Sequence, residues 1–223
     1  MPAPGFITGL ASEADCLLPY FPASTIAISG MNPDAAERGA RALCAGGCRV
    51  LVSFGLAGAL VAAVSPGTLI VAREIVTAAG ERHVADAALS AAVRAAAPAA
   101  RSLPIAGSDE VVATWRDKIV LNQLSGASAV DMESHRVARV AGELGVAFIA
   151  IRAVADTCDA AIPRAATQAI DAAGRPRVGH VLTRVLQRPW EIFGVARLAA
   201  QSRAAHRSLR DVAPLLLDRL VAG

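Results

Sequence analysis

Short apolar runs of strand length alternate with helix-length segments from Gly5 to Val154, and this alternation restricts the chain to a sheet covered by helices. Gly5 to Leu10 reads as a strand, Ser12 to Tyr20 as a helix, and Thr25 to Ser29 as a second strand ended by Gly30. The order is β-α-β from the start. Pro33 suits a first helical turn, Asp34 and Glu37 favour that start, and Gly46-Gly47 stop the helix before a strand at Val50 to Phe54. Thr68 to Val76 predicts a strand, Asp86 to Ala96 a helix, Ser102 to Ala106 a strand, and Val111 to Gln123 a helical or irregular segment. Ala129 to Met132 and Phe148 to Val154 are the two central strands. The pattern predicts an α/β fold: a three-layer α-β-α sandwich around a largely parallel sheet. No linker interrupts it, so residues 1–223 read as a single domain, with a core over 1–160 and a helical C-terminal extension over 164–223. In that extension Val178 to Gln187, Trp190 to Ala200 and Ser202 to Val221 read as helices, separated by Pro189 and bent at Pro214.

A hydrophobic content of 54% over 223 residues supplies ample core for one domain. The longest apolar stretch, Val50 to Val64, is shorter than a membrane span and is broken by Ser53, Gly55 and Gly58, so it reads as strand plus loop. No Lys or Arg precedes Arg38, which leaves the N-terminus without the basic region of a secretory signal and predicts a cytoplasmic location. Cys16, Cys44, Cys48 and Cys158 form no CxxC pair and have no neighbouring His, which predicts reduced thiols and no metal site. Residues 1–163 carry 12 basic and 15 acidic groups, whereas residues 164–223 carry 10 and 4, so the basic excess belongs to the tail.

Chemistry is expected where Val130-Asp131-Met132-Glu133 and Phe148 to Asp156 each deliver a carboxylate to one end of the sheet, because open α/β sheets bind ligands outside the carboxyl ends of their strands. Glu133 and Asp156 would then face one crevice. Both also have simpler readings: Glu133 as the second residue of a helix starting near Asp131, and Asp156 as the N-cap of a short helix. Gly55-Leu56-Ala57-Gly58 follows a strand without GxGxxG, and the chain contains no GxxxxGK[ST], GxSxG or HExxH. A dinucleotide cofactor is therefore not expected. Carboxylate chemistry on small, backbone-lined loops remains.

Phe6-Ile7-Thr8-Gly9-Leu10 with Glu13, Ser29-Gly30, Ser53-Phe54-Gly55-Leu56-Ala57-Gly58-Ala59-Leu60, Gly107-Ser108-Asp109, Val130-Asp131-Met132-Glu133 and Arg152-Ala153-Val154-Ala155-Asp156 together resemble, in order and spacing, the nucleoside phosphorylase superfamily. That superfamily includes the purine nucleoside phosphorylases and the methylthioadenosine/S-adenosylhomocysteine nucleosidases. Asp171-Ala172-Ala173-Gly174-Arg175 and Arg188-Pro189-Trp190-Glu191 look like its hopanoid-associated branch. The resemblance implies a mixed central sheet and cleavage of an N-glycosidic bond. For the narrower branch it implies release of adenine from the lipid nucleoside adenosylhopane, with inorganic phosphate as co-substrate and no other cofactor. Two other readings stand beside it: a water-dependent purine nucleosidase acting on methylthioadenosine-like substrates, and a degenerate nucleoside-binding module.

By this resemblance Glu133 accepts hydrogen bonds from the ribose hydroxyls, Asp131 and Met132 support the sugar, and Asp156 carries a proton to purine N7. Arg152, two strand pairs back on the same face, is expected to oppose protonation of Asp156. Glu13 is either a first-turn acid beside Asp15 or a site acid; the water-binding Glu of the nucleosidases falls at Ala14, which makes Glu13 a shifted substitute. The base pocket is implied near Ser108, Asp109 and Val111, against Gly55, Ala57 and Gly58, with stacking on Phe54. The Arg and Ser that hold phosphate in phosphorolytic relatives read Ser53 and Leu56 here. Phosphate would instead sit on backbone N–H groups around Gly9 and Gly30 to Asn32, with Arg38 or Arg41 and Ser53 nearby. In the tail, Trp190, Ile192, Phe193, Val195 and Leu198 lie beside Arg203, Arg207 and Arg210 at helical spacing. Residues 189–210 thus read as a peripheral membrane contact, as a helix hairpin packed on the sheet with its Arg residues in solvent, or as an oligomer contact. No aromatic residues interleave with the Arg stripe, so nucleic acid is not an expected partner. The family's habit of assembly implies a homo-oligomer.

Overall fold

The computed structural model describes residues 3–162, 171, 173–175 and 192–220. Strands β1 (Gly5–Thr8), β2 (Ile26–Ile28), β3 (Val50–Ala59), β4 (Leu69–Val71), β5 (Glu74–Thr77), β6 (Arg82–Val84), β7 (Ile105–Gly107), β8 (Ala129–Asp131) and β9 (Ala147–Val154) form one mixed sheet. Its main path runs β2-β1-β3-β8-β7-β5-β6, and β9 pairs with both β3 and β4. The β1–β2, β1–β3, β3–β9, β5–β7 and β7–β8 pairs are parallel; β3–β8, β4–β9 and β5–β6 are antiparallel.

Helices α1 (Ala11–Leu17), α2 (Pro33–Ala45), α3 (Ala87–Ala96), α4 (Trp115–Ser125), α5 (Ser134–Leu144), α6 (Ile192–Val212) and α7 (Leu215–Leu220) cover the sheet. Ala36 and Ala40 of α2 and Val137, Ala138, Val140 and Ala141 of α5 pack against one face. Leu17 of α1, Val93 of α3, Leu209 of α6 and Leu216 of α7 pack against the other. The expected three layers are present, with α4 closing the β7–β8 side through Leu121.

Several expected elements are redrawn by their partners. β3 runs on past Phe54 to Ala59, because Gly55 to Ala57 stay in register with Arg152 to Val154 of β9 before Gly58 and Ala59 turn to β8. The single strand expected over Thr68 to Val76 is two strands, β4 on β9 and β5 on β7. Between them Ala72 N donates to Ala150 O and Arg73 N to Leu103 O, so the chain changes partner there. β6 escapes a periodicity reading because it is an edge strand without an apolar face; Arg82 and Val84 are exposed. In the tail, the two helices expected over Trp190 to Ala200 and Ser202 to Val221 are α6 and α7. The break falls at Ala213-Pro214, since Gln201-Ser202 contains no helix breaker. The helix expected at Val178 to Gln187 lies outside the described residues.

Candidate active site

Two strand ends and one helix start converge on a cavity of about 280 Å³ lined by Gly9, Leu10, Glu13, Met31, Leu56, Ala57, Gly58, Val111, Val112, Met132, Glu133, Asp156, Ile162, Leu198 and Ser202, among others. Glu133 and Asp156 face it together, as the strand-end argument requires. Glu133 precedes the first turn of α5 but caps nothing with its own side chain. That task falls to Asp131, whose Oδ1 accepts from the backbone N–H groups of Glu133 (3.2 Å) and Ser134 (2.9 Å). The Glu133 carboxylate is thereby freed for the cavity. Asp156 starts no helix either.

Glu13 is held by three backbone N–H groups. Its Oε2 accepts from Gly9 N and Leu10 N, both at 2.8 Å, and its Oε1 from Leu56 N at 2.8 Å. A carboxylate offers about four acceptor positions, so about one is left for a ligand or a water. Glu13 thus lies in the cavity wall, where the reading of it as a shifted site acid needs it to be. Gly55 permits this, because a Cβ there would lie 2.6 Å from the Glu13 carboxyl carbon and 2.7 Å from Arg152 Nη1. Gly9 does the same for Glu133, whose Oε1 would sit 2.8 Å from a Cβ. Met31, in left-handed backbone at φ 60°, also enters the cavity wall; such strain in a non-glycine residue persists only where the surroundings impose it.

Arg152 does not oppose Asp156, as β-strand periodicity suggests. It is completely buried beneath the carboxylates on the other side, with Nε 2.6 Å from Asp131 Oδ2 and Nη2 3.3 Å from Glu133 Oε2. It also donates to Ser53 Oγ at 2.5 Å and to Ser134 Oγ. The cation facing Asp156 is instead Lys118 of α4, at 2.6 Å from Oδ2, while Ala59 N donates to Oδ1 at 2.7 Å. No motif pointed to Lys118. Its one available signal was that it is the sole lysine in an Arg-rich chain.

Burial pushes the Glu133 carboxyl up from 4.5 to about 7, with Arg152 opposing and Asp131 and Glu13 adding to the rise. Burial also raises Glu13, against Arg152 and its three N–H donors. A carboxyl raised in the folded state binds its proton more tightly there than in the unfolded chain, so the contribution of Glu133 to stability is full at low pH and is lost as pH rises from about 4.5 to about 7. Glu133→Gln is expected to flatten that slope, measured as urea unfolding at about pH 5 and about pH 8. An unchanged slope in the variant would remove Glu133 as its source.

The remaining expected contacts divide. Asp131, Met132, Val111, Ala57 and Gly58 line the cavity. Phe54 does not: it is completely buried in the core on the α1 and α6 face, so no aromatic platform is supplied there. Ser108 and Asp109 line a separate surface depression with His83, His135 and Arg136. Ser108 Oγ donates to Glu110 O, and Arg136 and His135 grip Asp109, with the Arg136 hydrogen bonds holding it down to about 2. The expected phosphate cradle is not assembled. Gly9 N is spent on Glu13, Met31 N on Gly9 O and Asn32 N on Ser29 O, while the Asn32 side chain caps α2. Gly30 is outside the cavity wall, Arg38 is exposed, Arg41 is paired with Glu37 and Glu143, and Ser53 is buried against Arg152.

The tail does contribute a wall. Leu198 and Ser202 of α6 line the cavity, Ala205 and Leu209 face the core, and Arg203, Arg207 and Arg210 are exposed. Trp190 lies outside the described residues. Gly174 O accepts from Ala11 N at 3.0 Å, so the turn at Asp171 and 173–175 sits on the start of α1, next to Gly9.

The family model of the phosphorylase superfamily matches residues 23–187. The chain belongs to that superfamily. With membership goes the reaction class, enzymatic cleavage of the bond between a sugar and its base. The phosphorylase-superfamily fold is shared with futalosine hydrolase of Helicobacter pylori (16% identity, TM-score 0.74, 98% of each chain covered). It is shared as well with the 5′-methylthioadenosine/S-adenosylhomocysteine nucleosidase of Neisseria meningitidis (15% identity, TM-score 0.74, 98% of this chain and 100% of that one). The corresponding nucleosidase of Colwellia psychrerythraea, solved with adenine, covers 99% of this chain and 96% of its own at 15% identity and TM-score 0.74. A search of curated proteins returned no match. Among the described residues no helix is long and apolar enough to cross a membrane.

Proposed function

We propose that this phosphorylase-superfamily enzyme uses water to cleave the N-glycosidic bond of a purine nucleoside carrying a large apolar substituent. The observation that carries the nucleophile is Glu13: a buried carboxylate in the cavity, held by three N–H donors, with one acceptor position left to hold and deprotonate a water. Among the described residues no free cation stands beside it to take phosphate, because Arg152 is saturated by Asp131, Glu133 and two serine hydroxyls. Among the described residues Glu133 has only long contacts, to Ser29 Oγ at 3.5 Å and Arg152 at 3.3 Å, and so keeps acceptors for ribose hydroxyls. Asp156 supplies the proton to the departing purine. The developing positive charge on the sugar is balanced by the neighbouring carboxylates.

Leu10, Met31, Leu56, Val111, Val112, Ile162 and Leu198 give the cavity an apolar lining that suits a lipid nucleoside. The resemblance to the hopanoid-associated branch supports adenosylhopane as that substrate, with adenine and ribosylhopane as products. The exposed Arg203, Arg207 and Arg210 of α6 suit an anionic membrane surface, where such a lipid resides. Phosphorolysis is the second reading, favoured by the raised Glu133 carboxyl, which below about pH 7 repels an anion less.

The test is adenine release from adenosylhopane with and without phosphate, together with the mass of the sugar product. Release that is independent of phosphate, with a ribosyl product, is expected. A product carrying phosphate would replace water as the nucleophile. No adenine from any purine nucleoside, with adenine still bound, would leave only the binding-module reading.

A further inference from the structure

Lys118 forms the wall behind Asp156. It is completely buried, and besides Asp156 Oδ2 its Nζ donates to Thr157 O at 2.8 Å and Ala160 O at 3.3 Å. An ammonium in such a place costs free energy that an apolar side chain of the same length would not, even when it is paired. A buried lysine therefore needs a reason beyond stability. Its position supplies one: Lys118 Nζ and Ala59 N each hold one oxygen of Asp156 from the wall side, leaving each oxygen a further acceptor or donor position toward the cavity.

We propose that Lys118 is a positioning residue for protonation of the leaving purine: it orients Asp156 and holds the carboxylate that Asp156 becomes. This rests on the nucleosidase reading above. As the C1′–N9 bond breaks, its electron pair goes to the base and the Asp156 proton goes to purine N7. Water adds to C1′ and gives a proton to Glu13, and solvent later reloads Asp156. The ammonium attracts the ionised carboxylate more than the protonated one, so its help appears as the proton leaves, in the transition state rather than in substrate binding. The bonds to Thr157 O and Ala160 O fix the loop that leads to Ile162 of the cavity wall, and Ile162 N in turn donates to Ala113 O just ahead of α4. Helix and loop thus hold Asp156 between them.

The experiment compares Lys118→Met, Lys118→Arg, Asp156→Asn and the double variant Lys118→Met/Asp156→Asn, using the purine nucleoside that the wild type cleaves fastest. Lys118→Met is expected to lower kcat about 100-fold, the scale of general-acid assistance, with KM within about threefold. Lys118→Arg, which keeps the charge, should recover part of the loss. The double variant should be no slower than Asp156→Asn alone, because Lys118 acts through that carboxylate. Losses that multiply in the double variant, or a Lys118→Met enzyme with wild-type kcat, would overturn the assignment. Should Lys118→Met fail to fold because it strands the Asp156 charge, the double variant strands none, and its rate against Asp156→Asn decides alone. A wild type that releases no base from any purine nucleoside would instead overturn the nucleosidase reading, and this assignment with it.

Discussion

Glu13→Gln is expected to lower kcat by about 1,000-fold, within the range for loss of a general base. Two effects add. The amide cannot take a proton from water, and its NH₂ group would face N–H donors that now meet Oε1 or Oε2. Whichever way the amide is turned, it confronts either Leu56 N or the pair Gly9 N and Leu10 N, so one edge of the cavity must shift. The measurement is the steady-state rate of base release, with a unfolding curve to show that the variant is folded. A folded Glu13→Gln protein that keeps kcat within about tenfold of wild type would show that another group activates the nucleophile.

Arg152→Met is expected to be the most destabilising single change in the site, by about 3 to 5 kcal/mol, the usual cost of removing one partner from a buried ion cluster. Among the described residues Arg152 is the largest fully buried side chain, and it is the cation on which Asp131, Glu133 and Glu13 all depend. Without it, three buried carboxylates face one another. They can protonate in acid, so the deficit should be smaller at about pH 5 than at about pH 8, read from urea midpoints at constant m. A variant with a wild-type midpoint at the higher pH would show that the cluster does not need its guanidinium.

These two residues also show where sequence and structure part. The strand-helix alternation, the Gly46-Gly47 stop and the apolar run before Arg152 were legible because periodicity and turn chemistry act over a few residues. So was the meeting of Glu133 and Asp156, since strand ends in such a sheet share one edge. What holds Glu13 toward the cavity was not legible: one residue along a helix turns the side chain's direction by about 100°, and the N–H groups of Gly9, Leu10 and Leu56 that bind Glu13 come together only in the fold. Phe54 shows the opposite case. A strand with both faces covered buries an aromatic residue on either side, and the sequence does not distinguish core from cavity.

By itself, then, the sequence determined the layered α/β architecture, the family and the two acids at the sheet's edge. Those follow from local periodicity and from motifs in order along the chain. Tertiary structure alone decided the pairing of charges. Arg152 lies four residues before Asp156 on one chain segment yet serves Asp131 and Glu133, while Lys118, distant in sequence, serves Asp156. It also decided the fate of three phosphate candidates, since Gly9 N is spent on a carboxylate and Met31 N and Asn32 N on carbonyls. The reason is physical: a buried charge is settled by whichever partner reaches it within hydrogen-bond distance, and that distance is set by how β3, β9, α4 and α5 pack, not by separation along the chain.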